Sequence, residues 1–493
     1  MKYHKIIIRI FIFISLIPLN SKAISLEDAI NMAKKNSKEG IIALKKFQQS
    51  NLSFTYYKTN NKPFCSLSTT PIQYSTDVIQ RYSYSTDRTY FRKQNYLYSS
   101  TNLKIKQNVN FLGGYIFVDS DLRFYKSLGE NRYKQFTTIP LRIGYSQDLI
   151  GYNDFKWQKR KETLAFSLAE KDLLHRLEDI TSIVTEKYID VCLLQEELIL
   201  AKVNLNNCDT LCIEAEKKLK YGRSSKKDYM NILLERSKAN SMYKQTNINL
   251  LEAEAILKKY LNYPQDSILN VSMESIINNI NHYVEIPISN AIQCALENSS
   301  KILEKENNII DASQNLEEKN IKRYFNAAIN ASIGLQQISE TLKNGYKKPI
   351  DEQAISISLS IPLADFGRGR IKYSQAKENL EIQKLQAEKI KEDIREQVRQ
   401  CVLNHRLKYS LIANAKEIYK LSNMVYDEII IEHKLGRWNF ISLGNAISQR
   451  QSAIIEYYRA IKDYFVNYLK ICNLTLFDFE KNKNICPPTE ILH

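Results

Sequence analysis

Two tracts of this 493-residue chain lack every residue that normally stops a helix. The first runs from Tyr152 to Tyr221 and the second from Arg370 to Leu435, with no Gly or Pro in either. Each is closed by the same dipeptide, Gly222-Arg223 and Gly436-Arg437, and the two marks lie 214 residues apart. At 1.5 Å per residue each tract predicts an uninterrupted helix of roughly 100 Å. A globular helix averages about three turns, so such lengths call for a helical tube or a coiled coil. Beyond each mark helical sequence resumes, from about Lys226 to Asn262 and from Asn445 to about Leu474. Each glycine therefore sits at the tip of a helical hairpin, where the left-handed conformation ends a helix. In the first tract Leu177, Val184, Val191, Leu198 and Leu205 repeat every seven residues, a seam for packing another helix.

The long element is made twice, and so is what precedes it. Ser25-Leu26-Glu27-Asp28-Ala29-Ile30 leads to Ala33 and Asn36-Ser37; Ile288-Ser289-Asn290-Ala291-Ile292 leads to Ala295 and Asn298-Ser299. A Ser opens each segment, and Ser25 with Asp28 forms a capping arrangement. Each half then turns to β-like sequence. In the second half Ile355, Ile357, Leu359 and Ile361 alternate with serines, and Ala327, Ile329, Ala331 and Ile333 alternate with Ala328, Asn330, Ser332 and Gly334. This is period two, over runs as long as a tilted transmembrane strand. A soluble sandwich hairpin has the same alternation. In the first half Phe64–Ile72, Leu103–Phe111, Tyr115–Leu122 and Ile139–Leu149 are strand candidates, with Gly113-Gly114 as a turn. Tyr74, Tyr82, Tyr84, Tyr90, Tyr96 and Tyr98 crowd one polar stretch, read either as a membrane interface or as an exposed loop. The expected organisation is a signal peptide over 1–23, a first repeat over 24–263, a connector over 264–286, a second repeat over 287–476 and a tail over 477–493.

The leader is read from Lys2, Lys5 and Arg9, the apolar run Ile10–Leu19, and the small-x-small site Ser21-Lys22-Ala23. Its apolar run is too short to span a bilayer, and no run of 18 apolar residues follows it. An exported chain of this kind is soluble beyond the inner membrane or enters an outer membrane as a β-barrel. The formal charge of +16 is spread among Glu on helical faces, as in Glu388-Lys389-Ile390-Lys391-Glu392, which reads as solvated surface and implies no nucleic-acid partner. Eight cysteines lie mostly within helical sequence; free thiols behaving as small apolar residues are expected, with no metal site. No Gly-x-Ser-x-Gly elbow, phosphate loop or His-Glu-x-x-His is present, so neither an enzyme nor a cofactor is expected.

Taken in order, these features resemble the TolC-like family of outer-membrane efflux proteins. The residues that carry the resemblance are the Ser-Leu-Glu-Asp-Ala-Ile start, the tips Lys220-Tyr221-Gly222-Arg223 and Lys434-Leu435-Gly436-Arg437, and the passages Ser146-Gln147-Asp148-Leu149 and Ile361-Pro362-Leu363 with Phe366-Gly367. The resemblance implies an α+β membrane protein, internally duplicated. Its homotrimer would build a 12-stranded outer-membrane β-barrel, four strands per chain, continued by a long periplasmic α-helical barrel. The implied strands are 325–335, 353–363, 139–149 and one earlier run, with 103–122 as an extra hairpin. It further implies a passive exit duct of a tripartite efflux or type I secretion system, with a periplasmic adaptor, an inner-membrane transporter and outer-membrane lipid as partners. On that analogy Tyr221, Gly222, Arg223, Leu435, Gly436 and Arg437 contact the adaptor. Asp228, Asn231, His433, Ser442 and Asn445 fall at the periplasmic gate, with Asp228 and His433 as a candidate pair. The rival reading is a periplasmic coiled-coil scaffold or adaptor without a pore.

Overall fold

The computed structural model describes residues 24–128, 132–222, 224–267, 269–272, 283–434 and 440–486. The expected leader (1–23) and the tip residues Arg223, Leu435, Gly436 and Arg437 lie outside the described residues.

The first half opens with α1 (Leu26–Asn36) and α2 (Lys38–Asn60). The Ser25 hydroxyl accepts from the Asp28 amide at 3.1 Å and donates to the Asp28 carboxylate at 2.7 Å, which satisfies the first turn of α1. Four strands follow, β1 (Phe64–Ser83), β2 (Arg88–Val109), β3 (Gly114–Ser127) and β4 (Lys134–Gln147). The half closes with α3 (Asp154–Lys220) and α4 (Lys226–Leu261). The second half has α5 (Ile288–Asn298), α6 (Ser300–Lys322), β5 (Asn326–Ser339), a single turn α7 (Leu342–Gly345), β6 (Ile350–Ser360), α8 (Arg368–Lys434) and α9 (Phe440–Thr475). A two-residue pair, β7 (Phe477–Asp478) and β8 (Lys483–Asn484), ends the described chain.

The helices of the two halves match in length: 11 residues in α1 and α5, 23 in α2 and α6, 67 in α3 and α8, and 36 in α4 and α9. Both long helices start within two residues of where the Gly- and Pro-free tracts start. The Ser at the head of the second copy does not cap, however. Pro287 is the N-cap of α5, without a side-chain hydrogen bond, and Ser289 lies one residue inside the helix.

Contacts divide the chain into two units. One takes the described residues of Met1–Phe47, Glu170–Ser300 and Lys391–His493; the other takes Gln48–Ala169 and Lys301–Ile390. In the first unit Ala29 and Ala33 of α1 pack in a core with Val184, Tyr188 and Val191 of α3, Leu257 and Leu261 of α4, and Ile461 of α9. Three residues of the seven-residue seam are buried, Leu177 at 2% and Val184 and Val191 at 0% exposure, while Leu198 and Leu205 are half-buried. Lys462 of α9 adds a 2.5 Å ion pair to Asp190 of α3.

The second unit holds one antiparallel sheet in the order β1-β2-β3-β4-β5-β6. The chain thus places six strands in one sheet, two more than the four per chain that the resemblance implies for a barrel. The reason lies in β1 and β2, which are 20 and 22 residues long. The Tyr-rich stretch is polar on both faces and has no apolar alternation to announce a strand, yet it pairs in register from Gln73↔Tyr98 to Ser83↔Arg88. The stretch 103–122, read as an extra hairpin, is the β2–β3 turn region in mid-sheet. Gly113 makes that turn at φ +87°, where a Cβ would stand 2.9 Å from the Tyr152 carbonyl oxygen.

Candidate functional site

Register assigns every strand residue to one of two faces. One face carries Leu67, Leu103, Ile116, Ile143, Ile333 and Ile357, one from each strand in order. All six are 44–66% exposed. The opposite face carries Ser66, Lys104, Asp119, Arg142, Gly334 and Glu352, which lie directly opposite one another in a single row across the sheet. Here two carboxylates are covered: Asp119 is 3% and Asp121 5% exposed. Arg142 grips Asp119 with two bonds, Nε to Oδ1 at 2.9 Å and Nη2 to Oδ2 at 2.6 Å, and Asn102 donates to the same carboxylate at 3.1 Å. Asp121 pairs with Arg123 at 2.5 Å. Lys104 lies 4.4 Å above the Phe117 ring. Apolar side chains outward and paired charges covered is the reverse of a soluble sheet, and it is what a wall between lipid and water requires. Asp119 and Arg142 escape sequence reasoning because they stand on separate strands. The usable signal was a charge at the polar parity of an alternating run, as at Lys104 and Lys106.

At the described helical tip, Gly222 has φ +65° and open space around its missing Cβ. Its amide donates to Leu219 O at 3.0 Å and that of Tyr221 to Lys217 O at 3.1 Å. Tyr221 is 78% exposed. Ser225 caps α4: its hydroxyl accepts from the Asp228 amide at 3.1 Å and donates to the Asp228 carboxylate at 2.6 Å. Asp228 thus holds the first turn of α4, and the His433 side chain lies outside the described residues. Asn231 is half-buried; Ser442 and Asn445 are exposed. Near the tip Leu211 and Ala215 of α3, Ile232 of α4, and Leu443 and Ile447 of α9 form one apolar core, with Tyr426 and Ile430 of α8 against it. Arg236 bonds Asp209 at 2.5 Å across the first hairpin.

All eight cysteines are free thiols. Burial pushes Cys192 and Cys472 up to about 12, so both stay protonated and unreactive. Among the described residues no helix is long and apolar enough to cross a membrane, and no cluster of His, Cys, Asp or Glu could hold a metal ion.

The same architecture recurs in solved membrane proteins, an outer membrane channel among them. A membrane protein of Pseudomonas aeruginosa superposes with a TM-score of 0.67 at 11% identity, covering 95% of this chain and 92% of its own. The outer membrane protein VceC of Vibrio cholerae gives 0.64 at 12%, covering 91% and 95%. The CmeC outer membrane channel of Campylobacter jejuni gives 0.63 at 12%, covering 94% and 87%. The chain has the fold of these proteins along nearly its whole length. No family model matches the sequence, and no curated protein does.

Proposed function

We propose that this chain is a trimeric channel of the outer membrane, a passive exit duct for an efflux or type I secretion system. The observation that carries the reading is the sheet, whose apolar face is exposed while Asp119 and Arg142 pair on the other. A periplasmic scaffold has no use for a sheet of that kind. A second support comes from α8, where Leu403, Leu407, Leu411, Ile418, Leu421 and Val425 recur at spacings of three, four and seven residues, each 45–56% exposed. That stripe is a coiled-coil seam suited to a second copy of the chain.

In this reading the sheet forms part of a barrel wall against outer-membrane lipid, and the long helices line a periplasmic tunnel. The two halves descend from one duplicated unit, which equal helix lengths and the recurring interval of 214 residues support. The leader directs export. The tips at Tyr221, Gly222 and Arg223, and at Leu435, Gly436 and Arg437, dock to a periplasmic adaptor bound to an inner-membrane transporter, which supplies the free energy. Asp228, Asn231, His433, Ser442 and Asn445 border the entrance. Ser442 and Asn445 carry no charge and Asp228 is engaged with Ser225, so closure rests on helix packing, and opening on a rearrangement of packed hairpins.

Membrane fractionation followed by a mass measurement in detergent tests the reading. Recovery from the outer membrane at three times the chain mass is expected; a soluble periplasmic monomer would sink it.

A further inference from the structure

The sheet has two outer edges. Among the described residues β1 pairs only with β2, and β6 only with β5. Open edges of this sort are templates for another strand, and within a membrane their N–H and C=O groups must be paired. From the order and the antiparallel pairing, β1 and β6 run in opposite directions, so β6 of one copy can continue into β1 of the next with the alternation intact.

Resting on the trimeric outer-membrane reading above, we infer that all six strands of each protomer enter the barrel, so that three copies (3 × 6) close an eighteen-stranded barrel through β1–β6 junctions.

Three features carry this. The exposed apolar face does not stop at β3; Leu67 of β1 and Leu103 of β2 continue it at 66% and 45% exposure. A hairpin set aside from the lipid would not need that face. The opposite face is continuous as well, since Lys104 of β2 stands in the row of Asp119, Arg142 and Glu352, where charges alternate in sign.

The third feature is stagger. The row through Phe64, at the start of β1, runs through Lys106, Phe117, Gly144 and Ser332 to Ala354 on β6. Strand β6 continues to Ser360, so a junction that sets Phe64 of one copy beside Ser360 of the next slips the wall by six residues (360 − 354) over six strands. Six residues rise about 20 Å and six strand spacings measure about 29 Å, which corresponds to a tilt of about 35°. Transmembrane barrels tilt by roughly 35–45°. A junction that joins the two strand ends therefore falls at the slope of a transmembrane barrel. The same junction sets Cys65 of one copy beside Leu359 of the next, both on the apolar face. Barrel diameter grows roughly in proportion to strand number, so this barrel is about 1.5 times as wide as a twelve-stranded one, in the range that leaves an aqueous channel.

The native Cys65, exposed on β1, is the probe. Ile357→Cys, Leu359→Cys and Ile361→Cys variants of the full chain, extracted from outer membranes, are oxidised with copper phenanthroline and run without reductant. Leu359→Cys should shift from single-chain mobility to linked dimers and trimers. Its neighbours should link less, and Cys65→Ser should abolish the shift. A detergent trimer in which none of the three links to Cys65 overturns the inference while leaving the channel reading intact. So does a Leu359→Cys link to Ile116→Cys, which would mean that β3 is the edge and four strands close the wall. A monomeric mass overturns the trimeric reading itself, and the strand count with it.

Discussion

The two halves of the chain agree in their helices and disagree in their strands. From α2 to α3 the intervening segment is 93 residues (61–153); from α6 to α8 it is 45 (323–367). The surplus of 48 is one long hairpin, since β1 and β2 together span Phe64–Val109. A helical unit whose members pack side by side does not tolerate unequal lengths, because a surplus turn displaces every buried residue beyond it. A sheet accepts strands in pairs. Two more keep the alternation of direction and return the chain to the end it started from, so the helices that follow are undisturbed.

The equality of the helical halves can be broken by matched truncations. Leu257 of α4 and Ile471 of α9 occupy the same place in their 36-residue helices (257 − 226 and 471 − 440) and are 0% and 1% exposed. Leu257→Ala and Ile471→Ala should each cost about 3 kcal/mol, seen as equal losses in the thermal unfolding of helical circular dichroism. A cost confined to one of them would mean that equal length conceals unequal packing.

Such matching was legible in the sequence because its signal is local. The first tract, read as Tyr152–Tyr221, folds as Asp154–Lys220, since nothing within it stops a helix. The alternation of Ile355, Ile357 and Leu359 likewise marked β6 without any knowledge of its neighbour. The strands of the surplus hairpin gave no such signal over 73–95, where polar and aromatic residues stand on both faces and only cross-strand pairing holds the register. The Asp119–Arg142 pair was hidden for a related reason: 23 residues separate the two, and they become opposite only once β3 and β4 are in register.

That pair is the sharpest difference between the strand regions. Arg142 faces Asp119 on one side and Gly334 on the other, so the second half supplies no carboxylate directly opposite it. Asp119→Ala should leave the guanidinium without its bidentate partner and cost about 2 kcal/mol. The measurement is the temperature at which the detergent-extracted protein loses its folded mobility on a gel. Ser358→Ala on β6, an exposed polar-face position with no charge partner, should leave that temperature unchanged. Equal shifts in the two variants would show that the covered ion pair contributes no more than a surface hydroxyl.

The smallest expected effect tests whether the halves differ inside their helices as well. His405 stands in α8 where Val191 stands in α3 (405 − 368 and 191 − 154), and both are 0% exposed. The first half fills the position with an apolar side chain. The second surrounds an imidazole with rings: Tyr464 stacks at 4.7 Å between centroids, with Tyr468 at 5.8 Å and Tyr283 at 6.0 Å. Its Nε2 donates to the Val284 carbonyl oxygen at 3.3 Å, while Nδ1 has no partner among the described residues. Burial favours the neutral ring and lowers its pKa below the ordinary 6.5, outweighing the Val284 bond, which acts the other way. An unfolded chain therefore takes up this proton at a higher pH than the folded one does. The stability tied to His405 is present in full above about pH 6.5 and is lost as the pH falls through the lowered folded value. Melting of the helices should drop between pH 7.5 and 5.0, and His405→Val, which copies the first half, should drop less over the same interval. If the variant loses as much as the parent, the imidazole is a passive filler and the two helical halves are equivalent at this position.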